Sequence, residues 1–431
     1  MQARRNFLKR MAIATAGFSI LGHFKANGAG VADASHALQQ LTPEQGSYNE
    51  DLWNQIRLAY PISRGVIYLN SGGVSPHPKV VQDALFRYHQ LANLGPSLYM
   101  NRHLKKEVPP LRRKLAALAG CQVEELSIKR NTTEALTTVI MGLNLQAGDE
   151  VVLARQDYPN MVHAWKQREK RDNITLVWVD LPMPSDDGQQ LIEIYKNAFT
   201  RKTKVVHLTH VNNWTGQMLP VKDLCRLAKE RNIQTVVDGA HSFAQINFRI
   251  DDLDCDYFGT SLHKWLSAPL GTGLLYVRKS LISQLWPLYA TADPYSDSIY
   301  KFEGQGTHDL PNEMAIGEAI TFHEMIGIDR KEARLRYLKK YFAKKISSHP
   351  RIKMLTPEDP QFSTCLVSFD IDGTTNKDID MMVRDLLLKY NVLASIVNWA
   401  ELKGIRVTPN VFTNLKDLDQ CSEAIIELIE S

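Results

Sequence analysis

An α/β fold, with a mostly parallel sheet covered by helices and a smaller α+β unit behind it, is what this 431-residue sequence predicts. Two observations carry the prediction. Short apolar runs alternate with helix-length stretches between Val66 and Val277, the pattern of parallel strands joined by crossover helices. Beyond about Pro294, charged helical sequence gives way to three more strand-like runs, the proportion of a smaller mixed unit.

The elements follow in order. Val66 to Asn70 reads as a short strand, stopped by Ser71-Gly72-Gly73 and by Pro76 and Pro78, which break regular structure. Helical periodicity runs from Val80 to Leu94 and from Val108 to Leu118. Strands are then expected at Glu150 to Ala154, Thr175 to Val179, Lys204 to Leu208, Thr235 to Val237 and Leu274 to Val277. In the second unit, helical sequence from Glu313 to Ser347 precedes strands at Cys365 to Asp370, Val392 to Ile396 and Gly404 to Val407. A helix from Leu415 to Ile429 closes the chain. No repeat or low-complexity tract interrupts this order.

The amino terminus reads differently. Arg4-Arg5-Asn6-Phe7-Leu8-Lys9 precedes an uncharged run from Met11 to Leu21 and a small-residue stretch from Ala26 to Ala37, the three regions of an export signal. The paired arginines resemble a twin-arginine signal, which implies delivery to the periplasm by the twin-arginine translocation machinery after folding. As a membrane anchor the run is too short, since a spanning helix needs about 20 apolar residues. Residues 1–37 are therefore assigned to the signal and its cleavage region, 38–67 to a linker, 68–293 to a large domain and 294–431 to a small one.

A net charge of +4 with scattered basic residues gives no stripe for nucleic acid. The cysteines Cys121, Cys225, Cys255, Cys365 and Cys421 are widely spaced and show no CxxC pair, so neither a zinc site nor a disulfide framework is indicated.

The chemistry concentrates at Ser261-Leu262-His263-Lys264-Trp265, between the strand ending in Asp238 and the turn Gly271-Thr272-Gly273. A lysine between a strand-end carboxylate and a small-residue loop suits pyridoxal phosphate, which is held as a Schiff base and needs its ring nitrogen protonated. Open α/β sheets bind ligands beyond the carboxyl ends of their strands, where Asp238, His241, Ser261, His263 and Lys264 converge. Asn131-Thr132-Thr133-Glu134 opens a helix and offers amides and hydroxyls to an anion. Tyr158 follows another strand end and can lie flat on an aromatic ring. Asn212-Asn213-Trp214 follows a third, and Arg406 offers a fork to a carboxylate.

In this order these segments resemble the class V aminotransferase family of fold-type I pyridoxal-phosphate enzymes, from about Tyr68 to Asn414. The resemblance is most specific at Val237-Asp238-Gly239-Ala240-His241-Ser242 with Ser261-Leu262-His263-Lys264. Arg130-Asn131-Thr132-Thr133-Glu134-Ala135, Asp157-Tyr158-Pro159 and Phe302-Glu303-Gly304-Gln305-Gly306-Thr307 resemble the isopenicillin N epimerase-like group. The resemblance implies a sheet of the seven-stranded type and pyridoxal 5'-phosphate as cofactor. It implies that Lys264 forms the Schiff base and then moves the Cα proton, and that Asp238 pairs with the ring nitrogen. It places His241 and Asn213 on the ring oxygen side, and Tyr158 against the ring face. It assigns Thr132, Thr133, Ser261 and His263 to the phosphate. It sends Thr307 to the phosphate of a second subunit, hence a homodimer, and gives Arg406 the substrate carboxylate. Cysteine desulfurases of the family carry a nucleophilic cysteine before that arginine, and Ser395 to Ile405 contains none.

Two outcomes share this residue set: return of the proton to the cofactor carbon, which is transamination, or to the opposite face of Cα, which is epimerisation. Transamination-like chemistry on an amino acid or a peptide- or siderophore-type amine is the expectation, with epimerisation the alternative. β-Elimination and non-catalytic binding are the further rivals.

Overall fold

The computed structural model describes residues 28–431, so the paired arginines and the run from Met11 to Leu21 lie outside the described residues. Among the described residues no helix is long and apolar enough to cross a membrane.

A seven-stranded sheet forms the centre. Its strands are β2 (Leu126–Lys129), β3 (Glu150–Ala154), β4 (Thr175–Val179), β5 (Thr203–Thr209), β6 (Gln234–Asp238), β7 (Tyr257–Ser261) and β8 (Gly273–Val277). They lie in the order β2-β8-β7-β6-β5-β3-β4. Only β8 runs antiparallel to its neighbours β2 and β7. The other pairings are parallel.

The apolar runs of the sequence are continuous because both faces of this sheet are covered. Val151, Leu153, Val205, Val236 and Tyr257 pack with Met161 and Trp165 of the helix Pro159–Asp172 on one side. Their neighbours Val152, Ala154, Val206, Leu208, Val237 and Phe258 pack with Leu224 and Ala228 of the helix Val221–Glu230 on the other. The period of two sends successive residues to opposite layers. At Gly239 the chain passes so close to β7 that a Cβ would stand 1.9 Å from Phe258 Cζ.

A second sheet is antiparallel, in the order β12 (Ser395–Trp399), β13 (Leu402–Val407), β10 (Val367–Ile371) and β9 (Ile352–Met354). The helices Ile328–Ile346, Asn376–Tyr390 and Leu415–Glu430 cover one face through Leu338, Phe342, Ile379, Leu386 and Ile425. β1 is only Ile67–Tyr68, and it pairs in parallel with β11 (Val392–Leu393). The run Val392 to Ile396 thus divides between two sheets.

Two segments differ from expectation. Gly28–Gln39 is a helix with Val31, Ala34 and Leu38 buried and Ser35 Oγ donating to the Met325 carbonyl. Part of the stretch assigned to the cleavage region therefore packs against the fold: Val31, Ala34, Ser35 and Leu38 recur at helical spacing and make one buried face. The helices Pro43–Ser47 and Glu50–Arg57 lie where a linker was expected, and Trp53 of the second is buried with its Nε1 donating to Gly46 O of the first at 2.8 Å. Leu310, Met314, Ile316 and Ile320, past the expected boundary at 294, share a core with Leu115 and Val152.

Candidate active site

Five strands of the large sheet end on one edge, and the loops leaving them carry the candidate residues. β6 ends in Asp238, which is 3% exposed. Its Oδ1 accepts the Ala240 amide at 2.9 Å, and burial raises its pKa despite that bond and the nearby Lys264 charge. Among the described residues no cationic side chain bonds it, so a buried cation donor is what this carboxylate lacks. Asp157, after β3, is also buried and pushed up to about 7, chiefly by burial. It accepts from Thr209 Oγ1 at 2.7 Å and from the Ala154 amide at 2.8 Å, which fixes the turn into Tyr158.

Lys264 follows β7. Its Nζ lies 3.1 Å from His241 Nε2 and 5.9 Å from the centroid of the Tyr158 ring. Burial, reinforced by Arg406 and opposed by Asp238, lowers its pKa to about 8. His241 is pushed well below its ordinary value by burial, with Lys264 and Arg406 adding to the shift, so the ring is neutral. When Nε2 faces the lysine ammonium as acceptor, Nδ1 carries the proton. That atom is buried without a partner. Gly72 makes room for the ring, since a Cβ there would meet Thr408 Cγ2 at 3.1 Å and His241 Cε1 at 3.2 Å.

Arg406, on β13, completes the group. It is 6% exposed; Nη1 donates to Asn213 O at 2.7 Å, Nη2 to Asn70 Oδ1 at 3.1 Å, and Nε has no partner. Burial lowers its pKa to about 10, opposed only by Tyr158. The guanidinium remains charged at neutral pH, and among the described residues no carboxylate pairs with it. Tyr158 is in turn raised by burial and by Asp238, and lowered by Arg406. The hairpin that carries Arg406 is pinned to the large sheet's loops. Trp399 stacks on Trp214 at 6.3 Å and 17°, and its Nε1 donates to Arg155 O at 3.0 Å.

The anion end lies at the start of the helix Thr132–Gly142. Ser261 Oγ takes the Thr132 amide at 2.9 Å and meets Thr132 Oγ1 at 2.8 Å. Thr133 Oγ1 accepts from Asn160 Nδ2 at 3.3 Å. His263 Nδ1 lies 3.1 Å from Thr272 O, so it donates, and burial lowers its pKa to about 4.

The structure thus brings Lys264, Asp238, His241, Tyr158, Asn213 and Arg406 to one place and sets Thr132 beside Ser261. Thr307 is not among them. It is exposed, on the wall of a separate surface cavity of about 490 Å³ with Arg130, Tyr289 and His308. The sequence assigns no site role to Asn70, Gly72 or Trp399, and it reads Asp157 only as part of the Asp157-Tyr158-Pro159 motif. A larger cavity of about 570 Å³, between Gln156, Met183, Leu355 and Leu402, borders the hairpin but holds none of the candidate residues.

The residues fit pyridoxal phosphate. An amine of lowered pKa, a buried carboxylate short of a cation, orphaned polar atoms on His241 and Asn213, and hydroxyls at a helix start match its aldehyde, ring nitrogen, ring oxygen and phosphate. Because only the neutral amine attacks an aldehyde, capture of the cofactor by apoprotein is expected to accelerate about tenfold per pH unit up to pH 8 and then level off. Stopped-flow absorbance measures this. A plateau first reached near pH 10 contradicts a buried lysine.

A family model described as aminotransferase class-V matches residues 67–387. An isopenicillin N epimerase of Streptomyces clavuligerus is 26% identical over 391 residues, covering 86% of this chain and 97% of that protein. A probable cysteine desulfurase of Halalkalibacterium halodurans is 29% identical over 339 residues, covering 73% and 80%. Among solved structures, a C-DES mutant with glycine covalently linked to its PLP cofactor superposes with a TM-score of 0.77 at 22% identity, over 87% of this chain and 99% of that one. A cysteine desulfurase from Escherichia coli gives 0.74 at 20%, over 87% and 98%. These likenesses confirm the fold.

Proposed function

The chain belongs to the class-V aminotransferase family, and from that premise we propose that it is a periplasmic, pyridoxal-phosphate-dependent, aminotransferase-like enzyme. It acts at the amino-bearing carbon of a carboxylate-bearing substrate, an amino acid or a peptide- or siderophore-type amine. The observation that supports this reading is Arg406, a buried guanidinium without a carboxylate partner among the described residues, whose charge reaches Lys264 and His241.

Pyridoxal phosphate, when bound, supplies an aldehyde that condenses with amines and a protonated ring that accepts the electron pair left at Cα. Everything else falls to the chain. Arg406 holds the substrate carboxylate, fixing which bond at Cα faces Lys264. Lys264, released as a free amine of lowered pKa, takes the Cα proton and returns it. Asp238 keeps its charge on the ring nitrogen in a site where water does not screen it. Tyr158 covers the ring, and His241 and Asn213 offer polar atoms to its oxygen. Thr132, Thr133, Ser261 and His263 hold the phosphate, and Thr307 reaches the phosphate of a second subunit in a homodimer.

Epimerisation is the second reading, supported by the Tyr158 ring, a titratable phenol whose centroid lies 5.9 Å from Lys264 Nζ, and by the likeness to the Streptomyces epimerase. Desulfuration is disfavoured: β12, β13 and the turn between them contain no cysteine. Cys365 is buried, with its thiol pKa pushed up by burial, whereas the attacking group must be a thiolate.

Purified protein incubated with candidate amino acids and peptides in deuterated water separates these readings by mass spectrometry. An oxo acid supports transamination, deuterated inverted product supports epimerisation, and pyruvate with ammonia supports elimination. No visible absorbance sensitive to borohydride, and no label on Lys264, would leave a protein that does not use this cofactor. Export is tested separately: replacing Arg4 and Arg5 together by lysine is expected to leave the protein in the cytoplasm, and an unchanged periplasmic fraction would remove the twin-arginine reading.

A further inference from the structure

We propose that Asn70 is a positioning residue that sets the Arg406 fork for the substrate carboxylate while leaving its charge unspent; this rests on the role given to Arg406 above.

Asn70 stands two residues beyond β1, and its backbone bridges to Thr408, two residues beyond Arg406. The segment is laced there. Thr408 N donates to Leu69 O at 2.8 Å, Ser71 N to Thr408 O at 3.2 Å and Gly72 N to Thr408 Oγ1 at 2.9 Å. Asn70 therefore keeps a fixed relation to the arginine from a distant part of the chain. Its Oδ1 and the Asn213 carbonyl take one donor from each terminal nitrogen of the guanidinium. Two acceptors on two nitrogens define the plane of the fork.

Both acceptors are neutral. A carboxylate in the place of Asn70 would satisfy the guanidinium bidentately and neutralise it inside the site. The incoming substrate would then have to displace an internal ion pair. An amide orients without competing, and the choice of asparagine over its charged isostere is what keeps the site receptive. The arrangement also explains how a buried arginine without a counter-ion is tolerated: two of its three nitrogens are hydrogen-bonded, so burial costs less than for a bare charge.

Two oxime-forming reagents test this on the holoenzyme whatever the natural substrate. Aminooxyacetate carries a carboxylate and methoxyamine does not. In each case the reagent nitrogen forms the new C=N bond to the cofactor carbon, and the Lys264 amine leaves protonated, so loss of the visible band reports the rate. Wild type is expected to react faster with aminooxyacetate. N70A is expected to lower that rate constant about tenfold and N70D about a hundredfold, the range of a hydrogen bond to a charged group. Methoxyamine is expected to change less than about twofold. N70S, which keeps an oxygen in a shorter side chain, guards against a misfolded variant. If wild type prefers aminooxyacetate and N70D keeps that preference, the role of Asn70 is wrong. Equal slowing of both reagents also overturns it, since that is a structural defect. If wild type shows no preference, Arg406 is not the carboxylate site and the proposal falls with it.

Discussion

Lys264→Ala lowers turnover by about four orders of magnitude, the upper end of what one positioned acid or base contributes, while the circular dichroism spectrum stays that of wild type. The loss is large because, among the described residues, no second amine is at hand. Lys331 is the other buried lysine of strongly lowered pKa, to about 7, but it is committed to the Trp265 carbonyl. His241, 3.1 Å away, is neutral, yet an imidazole makes no stable imine. The variant should still bind pyridoxal phosphate noncovalently through Asp238 and the Thr132 and Ser261 hydroxyls, giving free-aldehyde absorbance in place of the imine band. Borohydride should then leave no label on the protein. Turnover within tenfold of wild type would transfer the catalytic role to another group.

Much of this site was legible because strand ends and loop residues announce themselves locally. β6 and β3 are apolar runs of ordinary length, so Asp238 falls at the end of the first and Tyr158 just past the second. β7 was missed, although it is the strand that delivers Lys264. Its Tyr-Phe-Gly-Thr-Ser carries a glycine and three hydroxyls, and only burial on both faces makes it a strand. β2 was missed because four residues ending in a lysine carry no period; Lys129 is buried there by donating to the Phe302 carbonyl. Asn70 escaped for a different reason. Its significance lies in the bridge to Thr408, 338 positions away, and no local pattern encodes a contact that distant. The joining of the expected strands Val392 to Ile396 and Gly404 to Val407 into the hairpin of β12 and β13 is not legible because Ala400, which turns it, adopts φ of 51°, a conformation alanine does not advertise.

Arg406→Ala is expected to raise KM for a carboxylate-bearing substrate by about 30- to 4,000-fold, the equivalent of about 2 to 5 kcal/mol for one partner of a buried charged pair. kcat should fall much less, because a carboxylate bound equally well before and during proton transfer is uniform binding. Arg406→Lys separates charge from shape. An ammonium keeps the positive charge but cannot give one donor each to Asn70 Oδ1 and Asn213 O and still present a fork, so most of the loss should persist. The same substitutions bear on Lys264. Arg406 helps to depress that amine, so removing the guanidinium should raise the lysine pKa and move the plateau of cofactor capture above pH 8, while Arg406→Lys should leave it nearer its original position. A KM defect without that displacement would mean that the arginine binds substrate but stands too far from the lysine to tune it. A displaced plateau with unchanged KM would mean the reverse, and would place the substrate carboxylate elsewhere.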